Sequence, residues 1–264
     1  MDLVNFEQVG LTINGRKLLS DIEFSMSKGE HVGVIGPSGA GKSTFLNLLL
    51  GFLSPTEGRV SLFEEDLSQV EVASLEDLRM NMGMLFQTNA LFAEWSVYEN
   101  IAFPIRYHYG LSEEIISNMV AMKLDSVGLR GAEKLMPSEL SGGMARRVSL
   151  ARAVALDPKF LVYDEPFTGQ DPVTKSNLKE LMMKLHRQYH VSSLIVSHDI
   201  QDLSEIVDRM IVIWSGRIVA AGTVSEVMNS SDKKVQDFIQ GKLEMEQVQE
   251  KGDLLTDLIG GPHV

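Results

Sequence analysis

Gly36-Pro37-Ser38-Gly39-Ala40-Gly41-Lys42-Ser43-Thr44 is the stretch from which the rest of the chain can be read. It satisfies the pattern G-x-x-x-x-G-K-[ST] through Gly36, Gly41, Lys42 and Ser43, which chance would produce in a chain of this size only about 1% of the time. The apolar run His31–Ile35 before it reads as a buried strand, and the amphipathic segment after it, ending near Gly51, as a helix. Glycines let backbone N–H groups approach phosphate oxygens with no side chain in between. A helix starting near Gly41 adds its positive end. In that role the loop from Gly36 to Thr44 holds a polyphosphate, Lys42 reaches its β- and γ-phosphates, and the Ser43 hydroxyl ligates Mg²⁺. The competing reading is a glycine-rich strand-to-helix turn with an incidental lysine; the strand and helix on either side favour the phosphate loop.

Working outward, Gly83–Phe86, Phe160–Tyr163 and Ser193–Val196 also read as buried strands, each ending at a polar residue or glycine. Short apolar runs alternating with amphipathic stretches predict an α/β fold with a largely parallel sheet. Residues 3–28 differ: Val4–Leu11 and Leu18–Met26 around Asn14-Gly15 predict a β-hairpin. A second hairpin joins Met210–Trp214 to Ile218–Ala221 through Ser215-Gly216-Arg217. Between about residues 88 and 157 the strand signal disappears. Glu113–Val127 and Met144–Leu156 have helical spacing, the latter stopping before Asp157-Pro158. This stretch is expected to be a helical subdomain inserted in the α/β core.

Phe160-Leu161-Val162-Tyr163-Asp164-Glu165 is an apolar strand ending in two carboxylates. Asp164 suits Mg²⁺ coordination through water beside the phosphates. Glu165, one residue on, points differently and can polarise an attacking water, a role worth roughly 10²–10⁴-fold in rate.

Composition sets the outer limits. The 264 residues are 44% hydrophobic and 23% charged, enough for a sizeable core. The net charge of −12 argues against nucleic acid as a partner and against docking on anionic lipid. With no cysteine there is neither a disulfide framework nor a thiolate metal site. The start, MDLVNFEQVG, lacks the pattern of a signal peptide, and the apolar runs fall short of a membrane span, so membrane attachment is expected to go through another subunit.

Leu140-Ser141-Gly142-Gly143-Met144 narrows the class. Ser141 can cap the following helix, and the glycines expose backbone N–H groups at its positive end, a second anion-binding surface. With the Ala-Arg-Arg that follows, this segment resembles the signature motif of ABC ATPases. The resemblance covers about residues 2–240, and it implies an ABC-type nucleotide-binding domain: a RecA-like core, an antiparallel β subdomain and an inserted helical subdomain. Residues 1–240 are then the ATPase domain and 241–264 a C-terminal extension, in which Glu244–Ile259 is either a docking segment or a frayed tail. The resemblance also implies that Gln87 belongs to the loop that contacts Mg²⁺ and relays to a permease. Asp171, in Gly169-Gln170-Asp171, touches a partner subunit, and His198 contacts the γ-phosphate. The implied catalytic set is Glu165, His198, Lys42 and Gln87, with Ser43, Gln87 and Asp164 around the metal. Ser141, Gly142, Gly143 and Asp171 complete a nucleotide site shared between two copies of the chain.

Two departures stand out. Met144 occupies a position where glutamine is usual, and no aromatic stands where one usually stacks on adenine. Leu11-Thr12-Ile13-Asn14 offers only aliphatic packing, from Ile13, so use of GTP stays open beside ATP.

Met122-Lys123-Leu124, Val127–Gly131 with Lys134–Arg147, and Asp164–Phe167 with Gly169–Pro172 resemble the ATPases of the Mla phospholipid-transport systems of Gram-negative bacteria. That resemblance implies a dimer on the cytoplasmic face of the inner membrane, a permease, a periplasmic MCE-domain subunit and a STAS-domain subunit. The implied cargo is phospholipid, carried by the complex and not bound by this chain. Alternatives are the ATPase of another MCE-associated lipid or solvent-tolerance transporter, a non-transport ABC ATPase, and a regulatory binder that holds ATP without hydrolysing it.

Overall fold

The computed structural model describes residues 2–242. Strands β1 (Asp2–Ile13) and β2 (Arg16–Ser27) form the first hairpin, with Asn14 and Gly15 both at positive φ in its turn. That pairing matches the right-handed twist of the strands it joins. Next come β3 (His31–Ile35), α1 (Lys42–Leu49), β4 (Glu57–Leu62), β5 (Glu65–Asp66), α2 (Val72–Met80) and β6 (Met82–Leu85). Three helices follow, α3 (Val97–His108), α4 (Glu113–Ser126) and α5 (Gly142–Ala153). The chain then alternates through β7 (Phe160–Asp164), α6 (Pro172–Tyr189), β8 (Ser192–Val196), α7 (Ile200–Ser204) and β9 (Arg209–Trp214). It continues with β10 (Arg217–Thr223), α8 (Val224–Met228) and α9 (Lys233–Ile239).

The strands make two sheets. One runs β10-β9-β3-β8-β7-β6, parallel except for β10 at its edge; the other is antiparallel, β2-β1-β4-β5. The expected α/β architecture is therefore present, with an antiparallel sheet larger than the hairpin alone. β4 pairs with β1 (Phe6 opposite Val60), although Glu57, Gly58 and Arg59 are exposed and only Val60 and Leu62 are buried. Two inward residues are too short an alternation to announce a strand. In the late hairpin the turn is two residues, Ser215 and Gly216, because Arg217 already pairs with Trp214. Helix α5 starts at Gly142, two residues earlier than its apolar spacing indicates, because Ser141 caps it.

The parallel strands are buried on both faces, as helix-covered parallel sheets must be. Val32, Val34, Phe160, Val162, Leu194, Val196, Ile211 and Ile213 pack with α1 and the antiparallel sheet in one apolar cluster. Alternate residues, Leu161, Tyr163, Ile195, Met210 and Val212, join a second cluster with Ile101 of α3, Leu124 of α4 and Leu150 of α5. Residues 97–153 thus share a continuous core with one face of the sheet. Gly83 lets α5 close on β6, since a Cβ there would sit 2.1 Å from the Ala153 carbonyl oxygen. Among the described residues no helix is long and apolar enough to cross a membrane. The segment Glu244–Ile259 lies outside the described residues.

Candidate active site

Four neighbouring parallel strands end side by side. β3 runs into the Gly36 loop, β8 into Ser197-His198, β7 into Asp164-Glu165 and β6 into Phe86-Gln87. Open α/β sheets bind ligands at the carboxyl ends of their strands. Register makes the alignment close: Val196 lies opposite Val34 on one side and Asp164 on the other.

The loop between β3 and α1 is shaped by approach distances. A Cβ on Gly36 would lie 2.1 Å from the Ile213 carbonyl oxygen, so only glycine fits there. The loop is fastened from behind, where Gly216 N–H donates to Ala40 O and Ser20 N–H to Gly216 O, both at 2.8 Å. Helix α1 has no side-chain cap, and its first intrahelical bond is Phe45 N–H to Gly41 O. The amides of Lys42, Ser43 and Thr44 precede that bond and form a positive end open to an anion. The Lys42 Nζ lies over the loop, donating to Gly36 O (2.7 Å) and Pro37 O (3.0 Å). Of the two adjacent hydroxyl residues, Ser43 is exposed and Thr44 is buried. A glycine cradle, uncapped amides, a lysine and an accessible hydroxyl fit a polyphosphate with its divalent cation.

Charge is concentrated here. Burial lowers the proton affinity of Lys42, against the pull of Glu165 and Asp164. Burial raises the Asp164 pKa, and Glu165 raises it further while Lys42 opposes. These mutual influences show that the lysine and both carboxylates share one field. Glu165 adopts φ 48°, a left-handed conformation uncommon for a non-glycine residue, and its N–H donates to Val196 O at 2.9 Å. Its Oε2 lies 2.8 Å from His198 Nδ1 and accepts from Thr168 Oγ1 at 3.2 Å. The Glu165 side chain is 14% exposed and that of His198 63% exposed, so the pair has one buried and one open end. A held carboxylate facing a basic, anion-ready loop can orient water against a phosphoryl group.

The other predicted residues fall in two places. Gln87 is exposed, and its carbonyl accepts from Arg146 Nη1 at 3.0 Å. Ser141 caps α5, accepting from Met144 N–H at 3.2 Å. Asp171 caps α6, accepting from Val173 N–H and Thr174 N–H, and the Thr174 contacts hold its pKa below the usual carboxylate range. Ser141 and Gly143 line a cavity of about 180 Å³ with Thr174 and Asn177 of α6. Helix α5 packs on β6, and β8 and β7 stand between that strand and β3. Ile13 sits partly exposed at the end of β1, whereas Leu19 of β2 is the side chain nearest Gly41. Arg146 is the residue that motif reading overlooks: it bonds the Gln87 loop and the Glu165 carbonyl from a buried position. Its signal in the sequence is the spacing Arg146, Ser149, Arg152, which puts three donors on one helix face.

A family model described as "ABC transporter" matches residues 19–168. The intermembrane phospholipid transport system ATP-binding protein MlaF of Haemophilus influenzae is 41% identical over 241 residues, 91% of each chain. The probable ribonucleotide transport ATP-binding protein mkl of Mycobacterium tuberculosis is 36% identical over 90% of this chain and 67% of its own length. Among solved structures, the dimeric post-hydrolysis ATP-binding cassette MJ0796 bound to ADP and Pi superposes with a TM-score of 0.75 at 27% identity, covering 84% of this chain and 98% of that one.

Proposed function

This chain belongs to the ABC transporter ATP-binding family and is an ATPase, and from that premise we propose that it powers phospholipid movement between the inner and outer bacterial membranes. The purpose of that traffic is to maintain outer-membrane lipid asymmetry. The observation that carries the cargo is the 41% identity to a phospholipid-transport ATPase across 91% of both chains.

In this reading the amides of Gly39 to Thr44 and Lys42 Nζ hold the β- and γ-phosphates of ATP. Ser43, Gln87 and, through water, Asp164 would hold Mg²⁺, which would neutralise charge on the phosphate oxygens. The Glu165 carboxylate orients the attacking water, and His198, bonded to it at 2.8 Å, keeps it aimed and faces the γ-phosphate. Ser141, Gly142, Gly143 and Asp171 lie away from this chain's own phosphate loop, so they serve the ATP of a second copy in a head-to-tail dimer. The dimeric cassette bound to ADP and Pi supports that arrangement. Ile13 packs against the base.

The remaining partners are a permease of the MlaE kind, a periplasmic MCE-domain subunit of the MlaD kind reached through it, and a STAS-domain subunit of the MlaB kind. The chain sits peripherally on the cytoplasmic face of the inner membrane. Just beyond Gln87, Phe92, Trp95, Phe103 and Tyr107 form an exposed aromatic series with ring centroids 4.5–6.0 Å apart. Such a patch suits the permease contact. The match to mkl, named for a different cargo, supports a second reading as the ATPase of a sister transport system.

Co-purification of the tagged chain with the products of its neighbouring genes, followed by mass spectrometry of proteins and lipids, tests the cargo. Recovery of a permease, an MCE-domain protein and phospholipid is expected. Recovery of a permease with a different cargo would remove phospholipid transport and leave the ATPase.

A further inference from the structure

A stripe of α5 holds the backbone of segment 86–90. Ser149 Oγ–H donates to Asn89 O at 2.9 Å. Arg152 donates from Nη1 to Ala90 O at 2.8 Å and from Nη2 to Asn89 O at 3.1 Å. Arg146, nearer the helix start, is 2% exposed. Its Nη1 donates to Phe86 O (2.7 Å), Gln87 O (3.0 Å) and Asn89 Oδ1 (2.9 Å), and its Nη2 to Glu165 O (3.2 Å). Its buried Nε has no hydrogen-bond partner. Among the described residues no carboxylate forms a salt bridge with it. A buried cation solvated by carbonyl oxygens is costly to strip of any one of them. Both segments it touches are therefore held to one relative position. Glu165 needs such holding, because its left-handed backbone persists only where its surroundings enforce it.

We propose that Arg146 is a positioning residue for hydrolysis: by binding the Glu165 carbonyl and the Gln87 segment with one guanidinium, it ties the aim of the Glu165 carboxylate to the placement of segment 86–90. The proposal rests on Glu165 being the residue that orients water. Lysine keeps the charge at position 146 but cannot span both segments. Arg152 supplies the control, since it grips the same segment without touching Glu165.

The test is ATP turnover by the full-length chain in the membrane complex with which it co-purifies. Arg146→Lys is expected to lower kcat about tenfold to a hundredfold, the scale of a small misplacement of a reacting group, with KM for ATP changed less than about twofold. Arg152→Lys is expected to lose less than about threefold. Combined with Glu165→Gln, Arg146→Lys should slow turnover no further, because both changes act on one function. Equal losses in the two arginine variants, or losses that multiply in the double variant, would overturn the proposal. Wild-type turnover of Glu165→Gln alone would instead remove the assignment of Glu165 on which it rests. If Arg146→Lys does not fold, Asn89→Gly removes one acceptor and keeps the positive φ of that position. Its expected loss of about threefold should likewise vanish beside Glu165→Gln, and a loss that persists there counts against Arg146.

Discussion

The starts of α1 and α5 are two helix ends of the same kind, finished in opposite ways. At α1 the capping position is Gly41, no side chain accepts from the first turn, and Lys42 lies over the loop. At α5 the Ser141 hydroxyl accepts from Met144 N–H. The first end leaves its donors to an anion from outside. The second has one donor satisfied by its own chain, so an anion there adds to a helix that is already finished. Under the proposed function, the first end is the primary phosphate site and the second completes the site of another copy, the division of labour that a shared site between two copies requires.

Removing the stronger end should have the largest effect. Lys42→Ala is expected to cut ATP turnover by at least about 10²-fold, the scale for losing one group that stabilises developing charge. A steady-state ATPase assay on the assembled complex checks it, and normal turnover would dissolve the contrast between the two ends. The weaker end should respond differently. Ser141→Ala is expected to cost about 1 kcal/mol of stability through the lost cap. It should weaken ATP-dependent dimerisation while leaving ATP binding by the isolated chain unchanged. Thermal unfolding, sedimentation and nucleotide titration separate these effects, and equal loss of ATP affinity at both ends would mean that Ser141 serves its own chain's nucleotide.

How far each end was legible follows from how local its chemistry is. The α1 loop is nine consecutive residues whose types dictate their use, and strand, loop and helix appear where the sequence places them. The Glu165–His198 contact joins residues 33 apart, and only the β7–β8 pairing brings them within reach. Motif order names both residues but says nothing of their bond. Arg146 is further from view: its partners are 19 to 60 positions away, and only its spacing with Ser149 and Arg152 on one helix face sets it apart from Arg147 beside it. β4 is hidden for another reason, since its pairing with β1 is carried by backbone rather than by an apolar pattern.

A further expected effect lies away from both helix ends and serves as their control. His186 is buried, stacked on His31 with centroids 4.2 Å apart, and its Nε2 lies 3.0 Å from the Tyr163 hydroxyl. Burial, helped by His31 and Arg187, lowers its pKa from 6.5 to about 3. The unfolded chain therefore takes up a proton below pH 6.5 that the folded chain refuses. Stability from this group is present above pH 6.5 and is lost as pH falls from there toward 3, by at most about 1.4 kcal/mol per pH unit. Urea unfolding at pH 7 and pH 5 should show a smaller drop for His186→Gln than for the wild type. An unchanged drop would place the acid sensitivity elsewhere.

Hydrolysis in this site turns on Glu165 acting on water, whereas nucleotide binds without it. The direct measurement is ATP binding and turnover of Glu165→Gln in the assembled complex, read beside the wild type. Turnover is expected to fall about 10²-fold or more, with ATP still bound and the dimer held closed. Turnover at the wild-type rate, or loss of ATP binding together with turnover, would contradict it.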